Sequence, residues 1–305
     1  MKKLLLLLAL LPALAFGQSL LSDKLVVVIP YQAGTFGDLI CRKVFTVYGD
    51  VYRTEVTLLN QPGADQIIAH KNLLEMTAPA VFCAGSTVVG PNQVLKPAVS
   101  PPADTLKPVV GLLSFTQFVM SPSNRPGTWD EMVKDAQQSS KKLLVGGPAT
   151  FPVKSITYML DQLNIKYEII SYRRPMDAII DLEQQTIDLY ADGGTAKTIL
   201  ESRSVNFREI AHMSASGDKS KSMNLTLRYP LLAVITPSNN VYVSNKYSDD
   251  EIAVLNKRLN VTVQQAEVQN FYKEVAPYHI QVNGTVADLV KSTRTLQKNI
   301  HHVFN

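Results

Sequence analysis

The sequence predicts an α/β protein divided into two lobes, and three observations carry that reading. Apolar, strand-like runs alternate with amphipathic, helix-like segments along most of the chain, as in parallel or mixed sheets. With 305 residues, 46% of them hydrophobic, the chain reaches the size at which a single core tends to split in two. Residues 25–47 show the unit directly. An unbroken apolar run at 25–29 reads as a strand buried on both faces, and 38–48, with Leu39, Ile40, Val44 and Val47 along one side, reads as a helix.

In chain order, residues 1–17 come first. Lys2 and Lys3, an apolar core at 4–14 and the small-residue site Ala15-Phe16-Gly17 form the pattern of a cleavable export signal, with a core too short to span a membrane. Cleavage leaves Gln18 first and places the mature chain in the periplasm. After the strand and helix of 25–48, further strands are expected at 56–59, 80–84, 109–120, 142–146, 167–171, 187–191 and 231–236. Helices are expected at 66–76, 128–139, 152–163, 175–184, 249–263 and 286–303. Thr128, followed by Asp130 and Glu131, has the chemistry of an N-cap with an acidic first turn. Loops rich in Pro, Ser and Asn fall at 99–108 and 121–127.

Composition narrows the function classes. Thirty Lys and Arg face 26 Asp and Glu, and without the two signal lysines the excess is only two, spread without a basic block. Such a surface does not suit nucleic acid. Cys41 and Cys83 meet oxidising conditions after export and both sit in apolar surroundings, so spacing leaves open a disulfide or two packed side chains. The chain has no G-x-S-x-G elbow, no H-E-x-x-H, no Walker loop and no clustered metal ligands, and His70, His212 and His279 stand apart. The expectation is no catalytic residue, no metal and no cofactor.

The loop between the first strand and helix lies where open α/β sheets hold small ligands, and free amides at the helix start favour an anion. Its alternative is an ordinary turn that needs Gly34, with Asp38 only complementing the helix dipole. Ser86 and Thr87 follow the third strand and either bond a carboxylate or cap the next segment. Arg173 and Arg174 follow a strand at the second lobe's rim, where a guanidinium can take a carboxylate bidentately. One is expected to face the cleft and one solvent; pairing with Asp177 or Asp192 is the alternative.

These residues carry a family likeness. Pro30-Tyr31-Gln32-Ala33-Gly34-Thr35-Phe36-Gly37-Asp38 resembles the P-[FY]-x-A-G-G-x-x-D loop of the tripartite tricarboxylate transporter substrate-binding proteins, the Bug family. Asn60-Gln61-Pro62-Gly63-Ala64 is similar to its N-x-P-G-A, and Lys142 to Gly147 to its K-L-x-Y-G-S. Ile170-Ser171-Tyr172-Arg173, Asp181-Leu182, Ile187-Asp188-Leu189 and Asp192 match V-P-Y-K…D-L…[VI]-D-L…D without a gap.

The resemblance implies a two-lobed, type II periplasmic-binding-protein fold with crossover strands near 115–121 and 231–237. Lobe 1 would comprise 18–120 and 234–305, and lobe 2 would comprise 121–233. It implies a monomer without enzymatic activity that binds a small carboxylate between the lobes and hands it to the permease subunits of a tripartite transporter, or to a sensor kinase. The ligand-binding residues carried over are Tyr31, Ala33, Gly34, Thr35, Asp38, Ser86, Thr87, Gly147, Ala149, Tyr172, Arg173 and Asp192. The chain departs from the pattern at Thr35 and Phe36, at Ala149 and Phe151 where glycines are usual, at Ser155 where a histidine is common, and at Arg174-Pro175 in place of Gly-Gly. A β-carbon at such glycine positions hinders close approach of backbone to ligand. The alternative reading is therefore a diverged paralogue that acts as a periplasmic sensor or interaction module without transport.

Overall fold

A computed structural model describes residues 19–147, 151–172, 174–214, 220–234, 237–278, 280–282 and 284–304; the export signal, Ala149 and Arg173 lie outside them. The chain runs β1 (Lys24–Ile29), α1 (Phe36–Tyr52), β2 (Glu55–Asn60), α2 (Ile67–Glu75), β3 (Ala80–Gly85), α3 (Pro91–Leu95) and β4 (Leu106–Ser114) before it changes sheets. It continues as β5 (Gln117–Pro122), α4 (Trp129–Gln138), β6 (Leu143–Gly147), α5 (Phe151–Gln162), β7 (Tyr167–Ser171), α6 (Pro175–Glu183) and β8 (Leu189–Gly193). Next come α7 (Gly194–Ser202), β9 (Phe207–Met213), β10 (Met223–Asn224), α8 (Leu225–Arg228) and α9 (Pro230–Val234). It returns through β11 (Ser238–Ser244), α10 (Asp249–Val263), α11 (Ala266–Val275), β12 (Ile280–Gln281) and α12 (Val286–Phe304).

Two six-stranded sheets result, in the orders β12-β4-β11-β3-β1-β2 and β10-β9-β5-β8-β6-β7. β1 pairs parallel with β2 and β3, and β6 pairs parallel with β7 and β8. β11 runs antiparallel between β3 and β4, as β5 does between β8 and β9. Helices on both faces bury β3 along its whole length, which explains why it reads as a continuous apolar run.

One face of the first sheet packs against α1 and α10 through Val27, Ile40, Val44 and Leu255. The other face joins a cluster that takes in Leu296 and Ile300 of α12 and reaches Val145 and Ile156 around the second sheet. Cys41 and Cys83 form a disulfide between α1 and β3, with Cα atoms 6.0 Å apart and a separation of 42 positions in sequence. Closing a loop of that length stabilises the fold by roughly 4 kcal/mol on the chain-entropy account. Ser248 and Glu251 make a full capping box at the start of α10.

The sheets are joined by closely apposed segments. Phe115 N–H donates to Pro237 C=O at 2.8 Å, and the Thr116 hydroxyl donates to Tyr278 C=O at 2.5 Å.

The structure corrects several expectations. The apolar run 109–120 is two strands in different sheets, because β4 pairs with β11 while β5 pairs with β8 and β9. The first change of sheet therefore comes at Phe115-Thr116, ahead of residue 120. Residues 231–236 are not a strand: Pro230–Val234 is helical, with Pro at its start, and 235–236 lie outside the described residues. The returning strand is Ser238–Ser244, whose polar opening hid it. Asn239 is fully buried and Asn240 nearly so: Asn239 Oδ1 accepts the Tyr31 hydroxyl, and Asn240 Nδ2 donates to Ser238 Oγ and Tyr242 OH. Helices α7 and α11 and strand β9 were not anticipated.

One buried group sets a pH limit. His70 on α2 is 1% exposed, its Nε2 lies 2.9 Å from Thr105 Oγ1, and burial lowers its pKa to about 4. Its neutral form is favoured in the folded state, so its contribution is complete above the unfolded value of about 6.5 and is lost as pH falls towards the folded one. We expect the wild type to lose roughly 2 kcal/mol through this group between neutral pH and about pH 5. Urea midpoints of wild type and His70→Gln check it: the variant should show the smaller pH dependence.

Candidate functional site

The first loop is built around Asp38. The chain leaves β1 at Ile29, turns through residues 30–35 and enters α1, so Asp38 falls in the helix's first turn. Its carboxylate accepts the Gly34 N–H at 2.8 Å, Asn60 Nδ2 at 2.7 Å and two Arg42 groups, Nε at 3.2 Å and Nη2 at 2.8 Å. Burial opposes its charge, but Arg42, Asn60 and the Gly34 amide outweigh that and hold the carboxyl below the ordinary value. With its side chain 1% exposed, Asp38 shapes the loop and does not face a ligand.

This arrangement leaves the helix end available. The Thr35 hydroxyl donates to Gln32 C=O at 2.7 Å, and no side chain caps α1. Gly34 adopts φ +82° and the position a β-carbon would occupy is open, so a side chain there would meet backbone strain and not a wall. Arg42 neutralises Asp38, so the partial positive charge of the helix start is not cancelled by its own first turn. The Phe36 ring packs edge-to-face on Phe115 with centroids 5.7 Å apart, which ties the loop to the segment between the sheets.

Tyr31 stands behind the loop. Its hydroxyl donates to Asn239 Oδ1 at 3.0 Å, and burial pushes its phenol pKa well up, so it serves as a neutral donor. Thr87 and the backbone of Gly85 are joined by a residue the sequence did not single out. Gln66 donates from Nε2 to Thr87 Oγ1 at 2.9 Å and accepts the Gly85 N–H on Oε1 at 2.8 Å. Gln66 ends a run of left-handed, non-glycine backbone, with φ 47° at Ala64, 49° at Asp65 and 73° at Gln66. Such conformations cost on the order of 1 kcal/mol or more each and concentrate at functional loops. Ser86 is turned differently from the expected crevice: it is buried, accepts the Ser238 N–H at 3.2 Å and opens towards α12.

The second sheet contributes a smaller set. A β-carbon on Gly147 would lie 2.5 Å from Ala191 O and from Val153 Cγ2, so only glycine fits at the end of β6. The Gly147 carbonyl accepts the Tyr172 N–H at 3.1 Å, and the Tyr172 hydroxyl is held by Asp181. Asp192 accepts Tyr190 OH at 2.5 Å and the Gly193 N–H at 2.7 Å. Burial raises its carboxyl pKa despite those bonds. Arg174 is exposed and paired with Asp177 through Nε at 3.0 Å and Nη2 at 2.7 Å.

The structure thus ties Tyr31, Ala33, Gly34, Thr35, Asp38, Ser86 and Thr87 to the first sheet and Gly147, Tyr172 and Asp192 to the second. Among the described residues no group of three or more His, Cys, Asp or Glu could hold a metal ion, and no helix is long and apolar enough to cross a membrane.

No family model matches the sequence, and no curated protein matches it. Solved structures do share the fold. A TctC solute binding protein from Polaromonas aligns over 92% of this chain and 98% of its own, with TM-score 0.73 and 15% identity. Rpa4515 from R. palustris, solved with adipate, aligns over 92% and 95%, with TM-score 0.72 and 13% identity. MatC from Rhodopseudomonas palustris, solved with bound malate, aligns over 91% and 98%, with TM-score 0.67 and 13% identity. The chain has the α/β, two-lobed type II fold of periplasmic binding proteins, with two crossover segments.

The Asp38 node generates a prediction. Asp38→Asn removes the charge that Arg42, Asn60 and Gly34 share, and should destabilise the protein by about 2 kcal/mol at neutral pH. The folded pKa lies below the unfolded value of about 3.9, so the carboxylate's contribution is present above that value and is lost as pH falls through the folded one. Urea unfolding should therefore show the gap between wild type and variant narrowing at about pH 3.

Proposed function

We propose that the mature chain is an exported solute-binding protein of the tripartite tricarboxylate transporter type, capturing a small carboxylate between its lobes and delivering it to membrane permease subunits. The observation that carries this reading is the start of α1: a helix with no side-chain cap, Gly34 open beside it, and the nearest acid neutralised by Arg42. Backbone amides at such a helix start are suited to an anion. Support comes from the fold shared with proteins solved with malate and adipate.

The roles follow from position. Gly34 and Thr35 shape the first lobe's loop, their N–H groups going to Asp38 and Gln32, so that the first turn of α1 faces the ligand; Tyr172, Arg173 and Asp192 supply side chains from the second. Arg173 carries charge recognition, because Arg174 is already paired with Asp177 at the surface. Asp192, with its raised pKa, takes a ligand hydroxyl or shares a proton with a second carboxylate. Nothing in this arrangement calls for catalysis; the ligand is held and released.

A thermal-shift panel of di- and tricarboxylates tests the proposal. A ligand bound only by the folded state adds about 2.7 kcal/mol at a hundredfold excess over Kd. For a chain of this size that raises Tm by roughly 5–10 °C. With the best acid, calorimetry should give a roughly ten- to hundredfold loss of affinity for Arg173→Ala and little change for Arg174→Ala. A panel without any shift would favour the sensor or interaction reading, and equal affinity for wild type and Arg173→Ala would leave recognition to backbone alone.

A further inference from the structure

The loop after β2 keeps a backbone that its own residue types do not favour. Ala64, Asp65 and Gln66 stand in succession at φ 47°, 49° and 73°, a region that residues with a β-carbon avoid. Neighbours hold them there: Asn92 Nδ2 donates to the Asp65 C=O at 2.7 Å, Lys96 pairs with the Asp65 carboxylate, and the Gln66 N–H donates to the Gly63 C=O at 3.0 Å. What this conformation delivers is one amide group. The Gln66 side chain lies across the end of β3, where a β-carbon on Gly85 would meet its Nε2 at 2.9 Å, so the strand ends in glycine under the amide.

The orientation of that amide is decided by its partners. A backbone N–H can only donate, so the atom that takes the Gly85 N–H at 2.8 Å is Oε1. Nε2 therefore faces Thr87 Oγ1, at 2.9 Å, and it too can only donate. The Thr87 oxygen accepts from Gln66 and keeps its own proton for another partner. Among the described residues none accepts that proton, and Thr87 is half-buried with a side open to solvent. Ser86 does not share this arrangement, because it accepts the Ser238 N–H and is turned towards α12.

Thr87 leaves the sheet at the same edge as the first loop. β1 and β3 are parallel neighbours with Val28 opposite Phe82, so residues 30–35 and 86–87 follow adjacent strand ends. The Tyr31 side chain bridges them: a β-carbon on Gly37, in the first turn of α1, would meet Tyr31 Cδ2 at 2.6 Å, and one on Gly85 would meet the Tyr31 hydroxyl oxygen at 3.2 Å. Thr87 thus follows a strand end that Tyr31 ties to the uncapped start of α1.

We propose that Gln66 is a positioning residue of the anion site: by taking up the acceptor side of Thr87 it aims that hydroxyl as a donor at the bound carboxylate. An ionised carboxylate only accepts, whereas an amide or an uncharged acid also donates, so a hydroxyl fixed as donor selects the ionised group. The inference rests on the carboxylate reading above and adds to it the residue that sets the selection.

Calorimetry and thermal unfolding with malate, adipate and citrate, on the mature chain and its variants, test this. Gln66→Gly removes the amide but suits the left-handed backbone, so its Tm should stay within roughly 4 °C of the wild type's. Its affinity for the acid that the wild type binds should nevertheless fall at least roughly fivefold. Thr87→Val should lose about ten- to hundredfold, and Thr87→Ser, which keeps the hydroxyl, should stay within roughly threefold. Adding Gln66→Gly to Thr87→Val should cost no further affinity, because the group it acts through is gone. Unchanged affinity in Gln66→Gly or Thr87→Val, losses that multiply in the double variant, or a Tm for Gln66→Gly lower by more than roughly 10 °C would overturn the proposal and leave the carboxylate reading standing. A wild type that binds none of the three acids would overturn both.

Discussion

The chain passes between its sheets beside the antiparallel pair β4 and β11, and the hydrogen bond from Phe115 N–H to Pro237 C=O holds the outgoing and returning segments together. Because β11 also pairs with β3, the returning segment is locked to the strand that ends at Gly85 and leads into Ser86 and Thr87. Phe36 reaches Phe115 from the start of α1, and Tyr278 stacks edge-to-face on Phe118 from the C-terminal side with centroids 5.4 Å apart. Lys197 of α7 lies 4.3 Å over the Tyr278 ring and 3.2 Å from its hydroxyl, with Glu201 and Glu209 as counter-charges. A segment joining sheets is thus in direct contact with side chains from both.

Within this frame the first loop spends its ionisable groups on itself. Asp38, Arg42 and Asn60 close a network around Gly34, and Gln66 does the equivalent for Gly85 and Thr87. The left-handed residues at 64–66 are held by neighbours: Asn92 donates to Asp65 C=O at 2.7 Å, and Lys96 pairs with the Asp65 carboxylate. Backbone pre-set in this way has little freedom left to lose.

Much of the fold was legible because apolar periodicity and length speak directly of burial: β1, α1, α10 and α12 follow from spacing alone. What escaped was decided by partners. The run 109–120 is uniformly apolar, and only the pairing of each half tells that the chain changes sheets in its middle. β11 begins Ser-Asn-Asn, which reads as a turn until Tyr31 and Tyr242 are seen taking up the amides. At the candidate site, the motif names residues but not their contacts. Asp38 reads either as a ligand-facing acid or as a partner of the helix dipole until Arg42 and Asn60 are placed around it, and Gln66 carries no sequence signal, since its role depends on a backbone conformation that its residue type does not favour. Ser86 follows the strand end as expected, but which side of the sheet it faces depends on the short 3-10 turn after Gly85 that no pattern announces.

The disulfide has a consequence for the order in which the molecule matures. Cys41 sits one turn past Asp38 on the helix carrying the first loop, and Cys83 sits two residues before Gly85 on the strand carrying the second. Oxidation therefore staples two loops that are about forty residues apart in sequence to a common point near their bases. In a reducing compartment the same chain carries two thiols, and the loops are aligned by packing alone. The relative placing of the two loops is then coupled to the redox state of the compartment: oxidation fixes their bases to each other, and reduction hands that task to the side chains packed around them.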